Sequence, residues 1–327
     1  MMTFAVYLAG LALTTLLFRF RLKTCRAERP WLTAVLTQVC AVFLGVVLSK
    51  AVYVLCQLFR IWPQYGIACL IQPDINQFSF VGLAAGMLLG ARLFLNLINE
   101  TSTGTVDTVN LYAPCWALML AFVRFGEHFG EHAAQLYGVG SMVENPAHMF
   151  FPLAQANPAY EGEWFYAVFM LECLFAVLAA VCCLVIQRVN PHSWDKGFSA
   201  ERLAFYLCLF QIFCQSLRAN DPNKWLFVRA EQVLCAVVCL LLVCRYSHLA
   251  RKAKGDDLSF YWLLPPLGIV LGILILVLVE FALDKPYYFW DVSRTVCYAV
   301  MGAVLVLMGV MEFIGAARRS RYALRKY

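Results

Sequence analysis

Residues 113–132, APCWALMLAFVRFGEHFGEH, join an apolar run to the densest set of ionisable side chains in the chain. Arg124 closes the apolar part, and Glu127, His128, Glu131 and His132 follow within eight positions. A guanidinium fork suits a bidentate grip on a phosphate, and the carboxylates and imidazoles after it suit proton transfer. The same arginine would serve equally well as a snorkelling anchor at a membrane boundary, so its position leaves both readings open. Arg218, followed by Asp221 and Pro222, has the same two readings. His128 and His132 stand four apart with Glu131 between them, which matches the H-x-x-E-H pattern of certain zinc hydrolases. Gly130 weakens the helix that pattern needs, and Glu144 is the only further ligand to suggest itself. The residues 79–94, SFVGLAAGMLLGARLF, add Ser79 and a glycine every four positions (Gly82, Gly86, Gly90). Such spacing lets a helix, or a lipid, approach the backbone closely.

The elements that must position these groups are membrane helices. The 327 residues are 62% hydrophobic and 14% charged, with a mean hydropathy of +0.70, against about 25% charged in soluble domains. Apolar runs long enough to cross a bilayer as helices recur along the length, near 2–18, 32–58, 78–98, 108–124, 164–187, 202–218, 229–244, 258–282 and 292–315. The expected fold is therefore all-α and polytopic, with about nine transmembrane helices. The first run has no basic residue before it and no cleavage site after it, so it reads as a membrane helix and not a removed signal peptide.

The loops set the orientation. Arg19, Arg21, Lys23, Arg26 and Arg29 follow the first span, and Arg188 and Lys196 the fifth. Arg245, Arg251, Lys252 and Lys254 follow the seventh, and a tail from Arg318 to Lys326 follows the ninth. All lie on one side of a nine-crossing chain, which places the amino terminus outside and the carboxyl terminus in the cytoplasm. The net charge of +6 is thus spread in short clusters between spans and does not point to nucleic acid. Most of the fourteen cysteines, Cys115, Cys173, Cys235 and Cys239 among them, sit inside apolar spans as small hydrophobes, with no paired CxxC spacing. Residues 125–163 form the longest polar segment. Pro146, Pro152 and Pro158 break any continuous helix there, while Phe150, Phe151, Trp164, Phe165 and Tyr166 suit a membrane-interface belt. The expectation is a structured arm on the outer leaflet.

With these segments in place, the chain resembles the bacterial prolipoprotein diacylglyceryl transferases. APCWALMLAFVRFG is similar to the family's Ala-Pro-opened helix ending in Arg, an apolar residue and Gly, and it puts Arg124 on the family's essential arginine and Gly126 on its glycine. SFVGLAAG resembles the family's Ser-Phe-His-Gly-Gly-Leu-x-Gly segment, and FLGVVLSKAVYVL the helix before it. FQIFCQSLRANDP resembles the segment carrying the family's later arginines, EQVLCAVVCLLLV its last helix, and NPAYEGEWFYAVFMLE stands where the family has Tyr-Pro-x-Gln-Leu-Tyr-Glu. The resemblance covers residues 1–247 as a transferase-like core with the arm at 125–163. Residues 248–327 add two helices and a basic tail.

The resemblance implies transfer of a diacylglyceryl group from phosphatidylglycerol to the lipobox cysteine of a prolipoprotein signal peptide. The place is the outer face of the cytoplasmic membrane, and neither cofactor nor metal is required. It implies substrate-binding roles for Arg124, Gly126, Arg218, Ser79 and Gly82, and catalytic roles for Arg124 and for Glu127, His128, Glu131 and His132. The chain departs from the pattern at four places. Val81 stands for a histidine, Glu127 for an asparagine, Gln211 for an arginine and Gln215 for a glutamate. Val81 moves no proton. Either a group of EHFGEH takes over that role, or the scaffold binds a lipid or partner without turnover, or the two histidines serve a metal-dependent hydrolase.

Overall fold

The computed structural model describes residues 2–25, 28–58, 63, 66–68, 78–98, 102–103, 106–129, 138–157, 160–189, 198–219, 224–225, 227–254, 260–285 and 292–323. Nine long helices occur among them: α1 Met2–Thr24, α2 Pro30–Cys56, α3 Phe80–Leu97, α4 Thr108–Gly126, α5 Val168–Val189, α6 Phe198–Leu217, α7 Ala230–Lys254, α8 Phe260–Asp284 and α9 Arg294–Ala323. Eight are long and apolar enough to cross a membrane. The other is α6, whose 20 residues include Glu201, Arg202, Gln211 and Gln215. All nine expected spans are helices, and the differences lie at their ends. The expected seventh span stops at 244, whereas α7 continues to Lys254. Hydropathy marks where lipid ends, but the arginines and lysines beyond it are good helix formers and prolong the helix into the polar phase.

Residues 1–207 with 217–223 make one compact unit, and residues 208–216 with 224–327 a second. In the first, α4 is the axis, with α1, α3 and α5 packed on it. It is buried from Thr108 to Ala121 at every position but Leu118. The Asp107 side chain caps its start by accepting from the Val109 N–H at 3.0 Å. At the same end, Arg21 of α1 donates to Gln187 of α5 at 2.5 Å, Gln187 donates to the Asn110 carbonyl at 2.7 Å, and the Asn110 side chain accepts from the Ala200 N–H at 3.2 Å. Four helices are thereby tied at one level by groups that lipid could not satisfy.

The glycine series on α3 meets α2. A Cβ at Gly82 would lie 2.7 Å from the Leu48 carbonyl oxygen, one at Gly86 2.5 Å from that of Leu44, and one at Gly90 2.5 Å from that of Cys40. Backbone lies against backbone over two turns, the helix-packing use of small residues at this spacing.

After α4, a short 3-10 turn, Glu127–Phe129, leads into the arm. Its described part is ordered by hydrogen bonds and holds no α-helix, only a second 3-10 turn at Pro146–His148. Strands β1 (Ala154–Ala156) and β2 (Trp164–Tyr166) pair antiparallel, with Gly162 at φ 86° in the connection, where a side chain would be strained. Residues 138–143 run beside β2: Gly140 N–H bonds the Tyr166 carbonyl and Val143 N–H the Trp164 carbonyl, both at 2.7 Å. Phe165 packs with Val139 and Phe169, and Phe150 is exposed.

The second unit holds α7, α8, α9 and the last turns of α6. Gln232 donates to Glu280 at 2.5 Å and to Ser216 at 2.8 Å, and Gln215 donates to Glu231 at 2.7 Å. These buried polar pairs tie α7 to α8 and to the end of α6, and α9 packs on α7 and α8, so the compact unit is larger than the terminal pair of helices.

Candidate active site

The last turn of α4 places Arg124 at the centre of a buried ion network in the first unit. Arg124 is 2% exposed and Arg218, just past the end of α6, is 4% exposed, so neither is an anchor reaching for headgroups. Arg124 Nη1 meets Glu127 Oε1 at 2.5 Å across a single helical turn. Its Nε also meets a carboxylate that the sequence reading did not single out, that of Glu172 on α5. Arg218 Nη2 donates to both oxygens of Glu172, at 3.0 and 2.8 Å. Two guanidiniums and two carboxylates thus form one neutral chain, Glu127–Arg124–Glu172–Arg218. Uncompensated charge in this setting is expensive.

Within the Arg124–Glu127 pair two atoms remain unmatched. Arg124 Nη2, a donor, and Glu127 Oε2, an acceptor, are buried with no hydrogen-bond partner. Natural structures leave few such atoms, and each calls for an explanation, a functional role or a bound molecule among them.

The surroundings fix the network. Phe80 lays its ring under the Arg124 guanidinium, 3.6 Å from centroid to Cζ, a cation–π contact. Phe80 is in turn held by the start of α3. Ser79 is buried and caps that helix, accepting from Gly82 N–H at 3.1 Å, while the Ser79 carbonyl accepts from Ser49 at 2.5 Å. Ser79 and Gly82 therefore reach the arginine through Phe80: Ser79 is occupied with the cap and Gly82 with α2. Val81 lies in the same first turn, half-buried. Gly126 faces Tyr7 of α1 so closely that a Cβ there would come 2.2 Å from Tyr7 Cε1, and Tyr7 has Glu127 and Arg124 as its charged neighbours. From the arm, Gly138 abuts Glu127, where a Cβ would lie 2.3 Å from Oε2. Val139 accepts from Ala219 N–H at 3.0 Å, next to Arg218.

His128 contacts the arm. Its Nδ1 is 2.6 Å from Gln155 Oε1, and its ring lies 4.2 Å from that of Phe151, so the arm holds it. Glu131 and His132 fall outside the described residues. Among the described residues no group of three or more His, Cys, Asp or Glu is disposed to hold a metal ion. Glu172, Phe80, Tyr7 and Gln155 are the site residues the sequence reading missed. A lone carboxylate at the start of an otherwise apolar span was the available signal for Glu172.

Apolar helices around a buried, partly unmatched arginine–carboxylate network define a polytopic membrane protein. The family model described as prolipoprotein diacylglyceryl transferase matches residues 4–248, about three-quarters of the sequence. The chain belongs to that family, whose reaction is diacylglyceryl transfer to prolipoproteins. No match was found among curated proteins or among solved structures.

Proposed function

We propose that this protein transfers the diacylglyceryl group of phosphatidylglycerol to the thiol of a lipobox cysteine at the outer face of a bacterial cytoplasmic membrane. The amino terminus then lies outside and the carboxyl terminus in the cytoplasm, the orientation favoured by the basic loops. Arg124 binds the phosphodiester, and Arg218 supports it through Glu172. The thiol sulfur attacks the glyceryl carbon, a carbon–sulfur bond forms as the carbon–oxygen bond to phosphate breaks, and glycerol phosphate leaves with its negative charge held by the guanidiniums. The thiol proton passes to a base from the run Glu127, His128, Glu131 and His132. The observation that supports this reading is the unmatched, buried Nη2 of Arg124, whose Nη1 and Nε are both held by carboxylates.

The experiment is transfer by the purified full-length protein from phosphatidylglycerol vesicles to a lipobox peptide, read as the mass of the thioether product. Product that disappears with Arg124→Ala is expected. Lipid retained through purification with no product would favour a binding protein on the same scaffold, a reading supported by Val81, which has no proton to give.

A further inference from the structure

Arg124 Nη2 and Glu127 Oε2, the two unmatched atoms, belong to one ion pair but want different things. A ligand that satisfies both carries an acceptor and a donor close together. The phosphodiester of a lipid supplies the acceptor. Two groups are available as the donor: the thiol of the acceptor peptide and the headgroup of the lipid.

The geometry of displacement separates them. Sulfur attacks the glyceryl carbon from the face opposite the departing phosphate oxygen, so thiol and phosphate stand on opposite sides of the reacting carbon. Glu127 is held to the phosphate-binding guanidinium at 2.5 Å, one helical turn from Arg124, and therefore lies on the phosphate side. There the neighbour of the phosphate is the headgroup.

We propose that Glu127 reads the headgroup of the donor lipid. Its Oε2 accepts a hydrogen bond from a headgroup hydroxyl or ammonium while Arg124 Nη2 holds the phosphate. This rests on the diacylglyceryl-transfer reading and narrows the base for the thiol to His128, Glu131 or His132. Phosphodiester lipids with an O–H or N–H in the headgroup fit both atoms. Those without one leave a buried carboxylate oxygen unsatisfied and bind less well. The neutral charge balance of the four residues fits this too, because the network does not demand an anionic headgroup beyond the phosphate.

The test uses the full-length protein in nanodiscs holding equal amounts of phosphatidylglycerol, phosphatidylethanolamine, phosphatidylmethanol and phosphatidylcholine. Retained lipid is read by native mass spectrometry, and transfer to a lipobox peptide is measured separately for each donor. Phosphatidylmethanol has the charge of phosphatidylglycerol and no headgroup donor, which makes it the decisive comparison. The expected result is retention of the glycerol or ethanolamine lipid over the other two by about tenfold, the worth of one charge-assisted hydrogen bond. Glu127→Leu abolishes that preference. Which of the two favoured lipids leads tells hydroxyl from ammonium. The proposal is overturned if wild-type protein holds phosphatidylmethanol as well as phosphatidylglycerol, a comparison that stands even if the variant fails to fold. It is equally overturned if a folded Glu127→Leu keeps the preference. Equal transfer from phosphatidylmethanol removes the headgroup reading and leaves the transferase. A headgroup preference without transfer from any lipid removes the transferase and leaves the headgroup reading.

Discussion

Arg218 and Glu172 form a forked pair, with Nη2 donating to both carboxylate oxygens at 3.0 and 2.8 Å, and the same carboxylate receives Arg124. One acid from α5 therefore fixes the spacing of two arginines from different parts of the chain. Without it, the guanidiniums would repel in a medium that screens poorly. With it, Arg124 keeps its fork oriented and one nitrogen free, the preorganisation that the proposed stabilisation of a leaving phosphate needs.

Removing Glu172 should consequently cost more in stability than in contacts. Glu172→Gln leaves two buried cations against a single carboxylate, and loss of one partner of a buried pair typically costs about 3–5 kcal/mol. Adding Arg218→Gln removes one of those cations and should recover part of the loss. Unfolding of Glu172→Gln, Arg218→Gln and the double variant in detergent checks this, and strictly additive losses would show that the pair is not coupled.

Charge alone does not suffice at position 124. Lysine keeps the charge but cannot meet Glu127, Glu172, the Phe80 ring and a phosphate at once, because it lacks the planar fork. Arg124→Lys should hold its thermal midpoint better than Arg124→Ala and yet lose transfer by about 10²–10³-fold, the effect of deleting one well-placed donor. Peptide lipidation assays on both variants measure it. Near-normal transfer by the lysine variant would mean that a point charge is all the site requires.

The two halves of the site were not equally legible. Arg124 could be read because it ends an apolar run beside other ionisable groups, and the helices because hydropathy marks each of them. Glu172 stood out only as a lone carboxylate at the start of an apolar span, which does not name its partners, and these lie 48 and 46 positions away. Pairing across such separations is a tertiary fact. The prolines made the absence of a continuous helix in the arm legible, but its order also depends on backbone bonds between residues near 140 and 165 that no local pattern announces. The polar residues of α6 have the same character. Composition sets that helix apart from the other eight, and only the fold explains Gln215 through its partner Glu231.

The α2–α3 contact offers a test independent of the chemistry. Gly86→Ala would put a Cβ 2.5 Å from the Leu44 carbonyl oxygen and 2.8 Å from Gly45 Cα, backbone atoms that cannot swing aside. The expected cost is about 1–3 kcal/mol, as for other overpacked sites. Gly302→Ala, whose Cβ would meet nothing within 4 Å, should shift stability by no more than about 0.5 kcal/mol. Thermal unfolding of the two variants side by side decides the matter, and equal shifts would contradict the close approach.

Gly126 and Tyr7 connect the first helix to the site and can be tested as a pair. Gly126→Ala drives a Cβ to 2.2 Å from the Tyr7 ring, which must then move away from its neighbours Arg124 and Glu127. Transfer should fall with little change in the α2–α3 contact, because the disturbance is confined to the junction of α1 and α4. Tyr7→Ala on its own removes the ring and whatever ordering it gives Glu127. In the double variant the steric conflict is gone, so adding Gly126→Ala to Tyr7→Ala should cost almost nothing further. The coupling in stability should lie within about 0.5–3 kcal/mol, as for residues in contact. A Gly126→Ala loss of the same size in both backgrounds would show that the glycine acts on the α4 terminus itself and not through the ring of Tyr7.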